Sequence, residues 1–315
     1  MSYTKKLLAG TALGALLAVG ISGGASAAPS YGYANLTFTQ FTLSGLVDAS
    51  GGLLNGVSNF SATVLATDAS NYPGAANGGG SAGGSIVTGV DVAQAFSGPG
   101  AAPGPNLFTP QLTSTSGTRG DGLITGAIAG GATSQLVSEG NLTFGPATAG
   151  SSSGSSTTLQ ATFGASSSKT IGLSFFASDF LSAHVGQAGD NATASVSASF
   201  SIQDITPGGP ASYVAICDTI LLTCTQAGSS LALAQEAPDA LNASVGTLSP
   251  GSPASSSSPS TFYSFSAALT ANHQYRLILG DNSQVILSSV PEPVSLVLLG
   301  TGLIGLGLVR RRRQG

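Results

Sequence analysis

The sequence predicts an all-β fold, an antiparallel β-sandwich of jelly-roll-like arrangement with long Gly/Ser/Pro-rich loops. Three observations carry this. Apolar and polar residues alternate with period two, no segment shows a capped 3.6-residue periodicity, and the alternating runs are separated by Gly, Pro, Asn and Ser clusters. Charged residues are only 7% of the 315 positions, and Gly (45) and Pro (15) are abundant, so hydration of the surface falls to Ser, Thr, Asn and Gln. A hydrophobic content of 42% is enough to bury a core.

The chain starts with Lys5 and Lys6, an apolar run from Leu7 to Ile21, and a small-residue stretch ending in Ala25-Ser26-Ala27. Basic, apolar and A-x-A segments in that order form a secretory leader, with cleavage expected before Ala28 by signal peptidase after passage through the general secretion machinery. Residues 1–27 are therefore read as a signal peptide, 28–289 as the exported passenger and 290–315 as a separate C-terminal unit.

Within the passenger, Leu36 and Phe38 are in phase but Phe41 and Leu43 are shifted by one, which calls for a β-bulge near Gln40. Leu159, Ala161 and Phe163 alternate with Gln160 and Thr162. From Ala192 to Gln203 the alternation is unbroken for twelve residues, with Ala, Val, Phe and Ile on one face and Thr, Ser and Gln on the other. Tyr263, Phe265, Ala267 and Leu269 repeat the pattern. Four low-complexity stretches, 73–84, 97–105, 148–156 and 251–260, are expected as surface loops or linkers. The last of these would set off a hairpin over 261–287, although a two-stranded hairpin alone is marginal and one domain is the better reading.

Cys217 and Cys224 are the only cysteines, and in an oxidising compartment they are expected to pair. Closing so short a loop contributes about 2.5 kcal/mol on the chain-entropy account. Tyr213 to Cys217 reads as a strand leading into it.

After the passenger, Pro291-Glu292-Pro293 precedes an apolar stretch from Val294 to Val309 and the cluster Arg310, Arg311, Arg312 and Arg313. As a transmembrane helix these sixteen positions, interrupted only by Gly, Ser and Thr, would reach about 24 Å, short of a ~30 Å hydrocarbon core but insertable with local thinning. The arginines act as a stop and belong on the cytoplasmic side, which places the passenger outside. The Pro-Glu-Pro triplet, short span and arginine cluster resemble a PEP-CTERM sorting signal, over about the last 25 residues. The resemblance implies that an exosortase, a membrane protease-transpeptidase of Gram-negative bacteria that make exopolysaccharide, recognises Pro291, Glu292 and Pro293 and removes the tail. The protein would then be anchored transiently at the inner membrane with its passenger in the periplasm, and end at the cell surface or outside the cell.

The passenger holds three basic residues, Arg119, Lys169 and Arg276, against twelve acids, a formal charge of −9, which excludes nucleic-acid binding because phosphate contacts need clustered Lys or Arg. Gly150-Ser151-Ser152-Ser153-Gly154 matches a nucleophile elbow in form only, since the motif works between a strand and a helix and this one lies in a Ser/Gly tract. Gly300 to Gly305 matches a dinucleotide fingerprint inside the apolar tail, with no unit to bind a ribose. His184 and His273 are expected in surface loops, with Asp179 or Asp190 within possible reach of His184. Asp204 and Asp281 complete a scattered set of acids. No metal or cofactor is expected; calcium held by loop oxygens is the one candidate, without an acidic calcium loop to carry it. Aromatic residues fall mostly at inward strand positions and Trp is absent. Together these features point to a non-enzymatic envelope or matrix protein associated with exopolysaccharide or biofilm, with a secreted carbohydrate-binding or carbohydrate-active sandwich as the alternative.

Overall fold

Side chains that alternate in polarity settle as strands because each pleat turns successive residues to opposite faces. The computed structural model describes residues 29–48, 52–92, 94–127, 130–142, 150–209, 211–224, 231–232 and 241–289. In chain order the strands are β1 (Ser30–Ser44), β2 (Val57–Asn71), β3 (Gly78–Gly84), β4 (Gly89–Asp91), β5 (Ala95–Ser97), β6 (Gly117–Thr125), β7 (Ala132–Leu142) and β8 (Ser151–Ala165). They continue with β9 (Lys169–His184), β10 (Asn191–Asp204), β11 (Ser212–Tyr213), β12 (Cys217–Asp218), β13 (Leu231–Ala232), β14 (Ser244–Thr247), β15 (Ala254–Leu269) and β16 (His273–Ser288). Among the described residues there is no helix.

Every pairing is antiparallel, and the strands form two sheets. The first runs β12-β15-β9-β1-β7-β6-β4 with β5 also on β6; the second runs β11-β10-β16-β8-β2-β3 with β13 and β14 also on β10. The long strands cross from one sheet to the other at nearly every connection, so their inner faces share one core. Phe38, Phe175, Phe265, Leu36 and Leu173 of the first sheet meet Phe163, Phe200, Leu159, Leu277 and Val285 of the second. The shift of phase in β1 is a bulge between Phe38 and Phe41, with Gln40 at φ 52°, which returns Phe41 and Leu43 to the core.

Three stretches expected as loops are strands in part. Gly78–Gly84 is β3, residues 151–156 open β8 and residues 254–260 open β15. The β8 tract belongs there because Ser151, Ser153, Ser155 and Thr157 are buried in the same phase as Leu159, Ala161 and Phe163. At that end the space between the sheets is polar: Ser138 Oγ meets Ser283 Oγ and Ser283 O at 2.9 Å, and Ser153 Oγ donates to Glu139 O at 3.0 Å. The hairpin over 261–287 does not form, since β15 lies in the first sheet beside β9 and β16 lies in the second between β10 and β8. Tyr213 to Cys217 is likewise two strands, β11 on β10 and β12 on β15, with the chain passing between sheets at 214–216.

Both ends of the described chain leave from one pole. Ser30 opens β1 at the centre of the first sheet, Ser288 closes β16 at the centre of the second, and a Cβ on Gly32 would stand 2.6 Å from Val285 Cγ1 and 3.3 Å from Leu287 Cδ2. The opposite pole carries the described residues 45–48 and 52–56 and the turns at 166–168 and 270–272.

Candidate functional site

The outer face of the first sheet gathers the features most suited to contact. Phe175 and Phe176 are neighbours on β9, so one of them must face out; Phe175 is fully buried and Phe176 lies on the outer face with Phe180. Phe262 on β15 pairs with Phe176 in register, their ring centroids 5.0 Å apart, and the ring of Phe180 lies 5.7 Å from that of Tyr33. Phe180 is 42% and Phe262 44% exposed. Around them the outward positions are Ser174, Ser178, Ser257, Ser264, Asn35 and Thr37, a surface without charge. Flat rings beside hydroxyls and amides suit stacking against apolar sugar faces with hydrogen bonds at the rim.

A buried clamp holds the patch on one side. The loop 98–116 covers the outer face of β1, β6 and β7, fixed by Arg119 and Glu139, both fully buried and paired at 2.7 Å. Arg119 Nη1 and Nη2 donate to Leu107 O and Thr109 O, and Glu139 accepts from the backbone N–H of Gln111 and Leu112 and from Tyr31 Oη at 2.8 Å. Burial, and then the Glu139 carboxylate, push the Tyr31 hydroxyl well above its ordinary value, so it stays a donor. Tyr33 Oη donates to Phe108 O, which ties the ring beside Phe180 to the same loop.

The acids sit in separate environments. Asp281 is buried between the sheets, raised to about 6 by burial against hydrogen bonds from Thr157 and Ser134. The cavity beside it, lined by Phe38, Phe41, Leu159 and Leu279, has about 20 Å³, room for about one water. Asp68 is raised to about 7 by burial, with the Ser155 hydroxyl and Gly122 N–H as loose neighbours. Burial raises Asp121 too, although Asn106 N donates to its Oδ2 at 2.6 Å. Asp179 faces inward, raised by burial, with Ser258 beside it but neither carboxylate oxygen within hydrogen-bonding geometry of a donor.

His184 and His273 end β9 and begin β16 rather than lying in loops, because both continue the ladder of their strand. His184 Nδ1 contacts Pro29 O at 3.3 Å, while Asp190 accepts from Ser30 Oγ at 2.9 Å on the opposite, buried face. His273 Nδ1 is 2.5 Å from Asp204 Oδ2, while Asp204 Oδ1 accepts from the Thr206 hydroxyl at 2.6 Å, so the carboxylate is shared between the ring and a local turn. Burial alone would raise the Asp204 carboxyl, but bonds from Thr206 and His273 outweigh it and hold the group low. The elbow-like Gly150–Gly154 runs into β8, with no helix after it. Among the described residues no group of three or more His, Cys, Asp or Glu is placed to hold a metal ion.

Cys217 and Cys224 are bonded as expected. Asp218 Oδ1 caps the enclosed turn by accepting from Ile220 N and Leu221 N at 2.6 and 2.7 Å, leaving Ile220, Leu221 and Leu222 exposed at its tip.

Fold and site define an all-β, two-sheet protein with an uncharged, ring-bearing face. The segment after its last strand is a sorting signal: residues 289–313 match the family model described as the PEP-CTERM protein-sorting motif. That match holds the resemblance where the sequence placed it, at the C-terminus, and the motif implies processing by an exosortase, a membrane enzyme, on a protein that is exported and transiently membrane-anchored. Ala25, Ala27 and Ala28, Pro291 to Pro293, the apolar span and Arg310 to Arg313 lie outside the described residues. No described helix is long and apolar enough to cross a membrane. No curated protein and no solved structure matches the chain.

The outward rings are hidden in the sequence because the alternation marks the inner face alone. The signal was present in the doublets Phe175-Phe176 and Phe262-Tyr263, each of which must turn one ring outward on a strand.

Proposed function

We propose that this chain is an exported envelope or matrix protein that works without catalysis or a resident cofactor, with the Phe176–Phe262–Phe180 face as its contact with neutral exopolysaccharide. In this reading signal peptidase frees Ala28, and the tail inserts with Arg310 to Arg313 inside. The exosortase then releases or re-attaches the body at the cell surface. The observation that carries the contact is a pair of exposed Phe rings, Phe180 and Phe262, with the half-buried Phe176 packed against Phe262, on a face with no charged residue, on a protein whose tail carries a sorting motif. An acidic polymer would gain nothing from this face, because a body of formal charge −9 repels it. The engagement of both histidines and of Asp190, Asp204 and Asp281 in contacts within the fold favours binding over hydrolysis.

Affinity electrophoresis of residues 28–289 through gels carrying soluble neutral polysaccharides tests it. Wild-type protein should be retarded by at least one polymer, and Phe176→Ala with Phe262→Ala should weaken the effect about tenfold, as expected when stacking worth about 1.4 kcal/mol is lost. Equal retardation of both proteins removes the face from the reading; polymer hydrolysis lost with Asp204→Asn would favour an enzyme.

A further inference from the structure

The pole from which both chain ends emerge carries an inference about orientation that rests on the membrane insertion proposed above. We infer that this pole is a membrane-contact surface, and that the sandwich stands upright on the lipid bilayer while its tail is in place.

The first ground is reach. Only four residues, Val290 to Pro293, separate buried Ser289 from the apolar run that starts at Val294, so Ser289 is tethered within about 18 Å of that run. β16 cannot lend length to the tether cheaply, because Val285 and Leu287 are fully buried and the strand is hydrogen-bonded on both sides, to β10 as far as Ser288 and to β8 as far as Leu287. The spacer sequence carries two prolines, a residue type that restricts its own φ and disfavours a helical residue before it, and no glycine lies between Gly280 and Gly300. On the other chain end, Ile21 closes the apolar leader eight residues before Pro29, at most about 28 Å away. Gly32 packs against Val285 and Leu287, so before cleavage both tethers pull on the same pole.

The second ground is the surface itself. In the described segments at this pole, 29–32, 71–78, 117, 142, 150–151, 184–191, 247–254 and 287–289, the Asp, Glu, Lys, Arg and His side chains are His184 and the fully buried Asp190 alone. Asp48, Lys169, Asp204 and Arg276 lie at or near the other pole, about 50 Å away along strands of up to 16 residues. Leu248, 66% exposed, and Ile286, 42% exposed, offer apolar contact on the uncharged side. Placing that end against headgroups desolvates little charge, whereas a body lying on its flank would bring the charged pole down as well.

Fluorescence depth measurement on the full chain with its tail uncleaved decides it. Because Cys217 and Cys224 are bonded, single substitutions Ala188→Cys at the proposed contact pole, Thr270→Cys at the far pole and Ser178→Cys on the ring-bearing face accept one dye each. In phosphatidylethanolamine–phosphatidylglycerol vesicles with headgroup nitroxide lipid, the dye at 188 should be quenched severalfold, and those at 270 and 178 no more than in unlabelled vesicles. Equal quenching at 188 and 270, or strong quenching at 178, means the body lies on its side and overturns the inference alone. Failure of the full chain to bind vesicles at all overturns the insertion reading and this inference with it.

Discussion

At the scale of single residues, the interior is unusual for the carboxylates it holds away from water. Asp281 and Asp68 are raised to about 6 and about 7 from 3.8, each chiefly by burial, so the folded protein prefers them protonated. Folding then takes up protons, and the stability this contributes is complete below pH 4 and lost as pH climbs through about 6 and about 7. Asp204 works in the opposite sense, being held low, but it is partly exposed and its share is small. The protein is therefore expected to unfold at higher temperature at pH 4.5 than at pH 8. Asp281→Asn keeps the shape, still accepts from Thr157 N and removes one titration. Its melting temperature at pH 8 should rise by about 2–5 °C and its pH slope should shrink; a slope equal to wild type would mean Asp281 ionises freely. Arg119 and Glu139 make the contrasting case, because their charges are paired and Glu139 is saturated with donors. Arg119→Met leaves the carboxylate buried without its cation and should cost about 3–5 kcal/mol in urea unfolding. Neither Asp281 nor Arg119 could be ranked from the sequence: a carboxylate in a polar strand and one of three basic residues look like surface until the covering sheet or loop is known.

At the scale of elements, what was legible depended on contrast between faces. β10 could be read almost to its ends because Ala, Val, Phe and Ile alternate with Thr, Ser and Gln, and the bulge in β1 was legible because two clear phases meet at Gln40. The start of β8 was not, because Ser occupies both faces and erases the period, and the interior it faces is itself lined by Ser138, Ser283 and Asp68. Small residues serve there because the sheets approach closely: a Cβ on Gly120 of β6 would sit 2.5 Å from Gly154 O of β8 and 3.3 Å from Ala69 O of β2. The neighbours are backbone and cannot swing aside. Gly120→Ala should therefore part the sheets locally, lowering stability by about 1–3 kcal/mol in thermal or urea melts, although alanine is the better residue for an extended chain. A stability gain would show that the two sheets are not in contact at β6 and β8.

At the scale of the whole molecule, the order of strands makes completion of the fold wait for its last element. β16 is the central strand of the second sheet, pairing with β10 from Asn191–Ser288 to Asp204–Tyr275 and with β8 from His273–Ala165 to Leu287–Ser151. Until residue 288 has emerged, β10 with its short neighbours and β8 with β2 and β3 are two separate ribbons, each with the edge that β16 fills left unpaired and an uncovered apolar face. Pairings this distant in sequence form slowly, because loop closure precedes the contacts that reward it. An exported chain built this way closes its core only as the segment bearing Pro291-Glu292-Pro293 follows β16 out, so folding and presentation of the sorting motif are coupled by position in the sequence. Ending the chain after Leu269 removes β16 alone, yet it should abolish the cooperative melt and leave the rest open to proteolysis in minutes, while ending it after Ser289 should leave both melt and resistance intact. A cooperative melt for the shorter chain would place the core in the first sheet and its loops, against the packing of Leu277, Leu279, Val285 and Leu287 between the sheets.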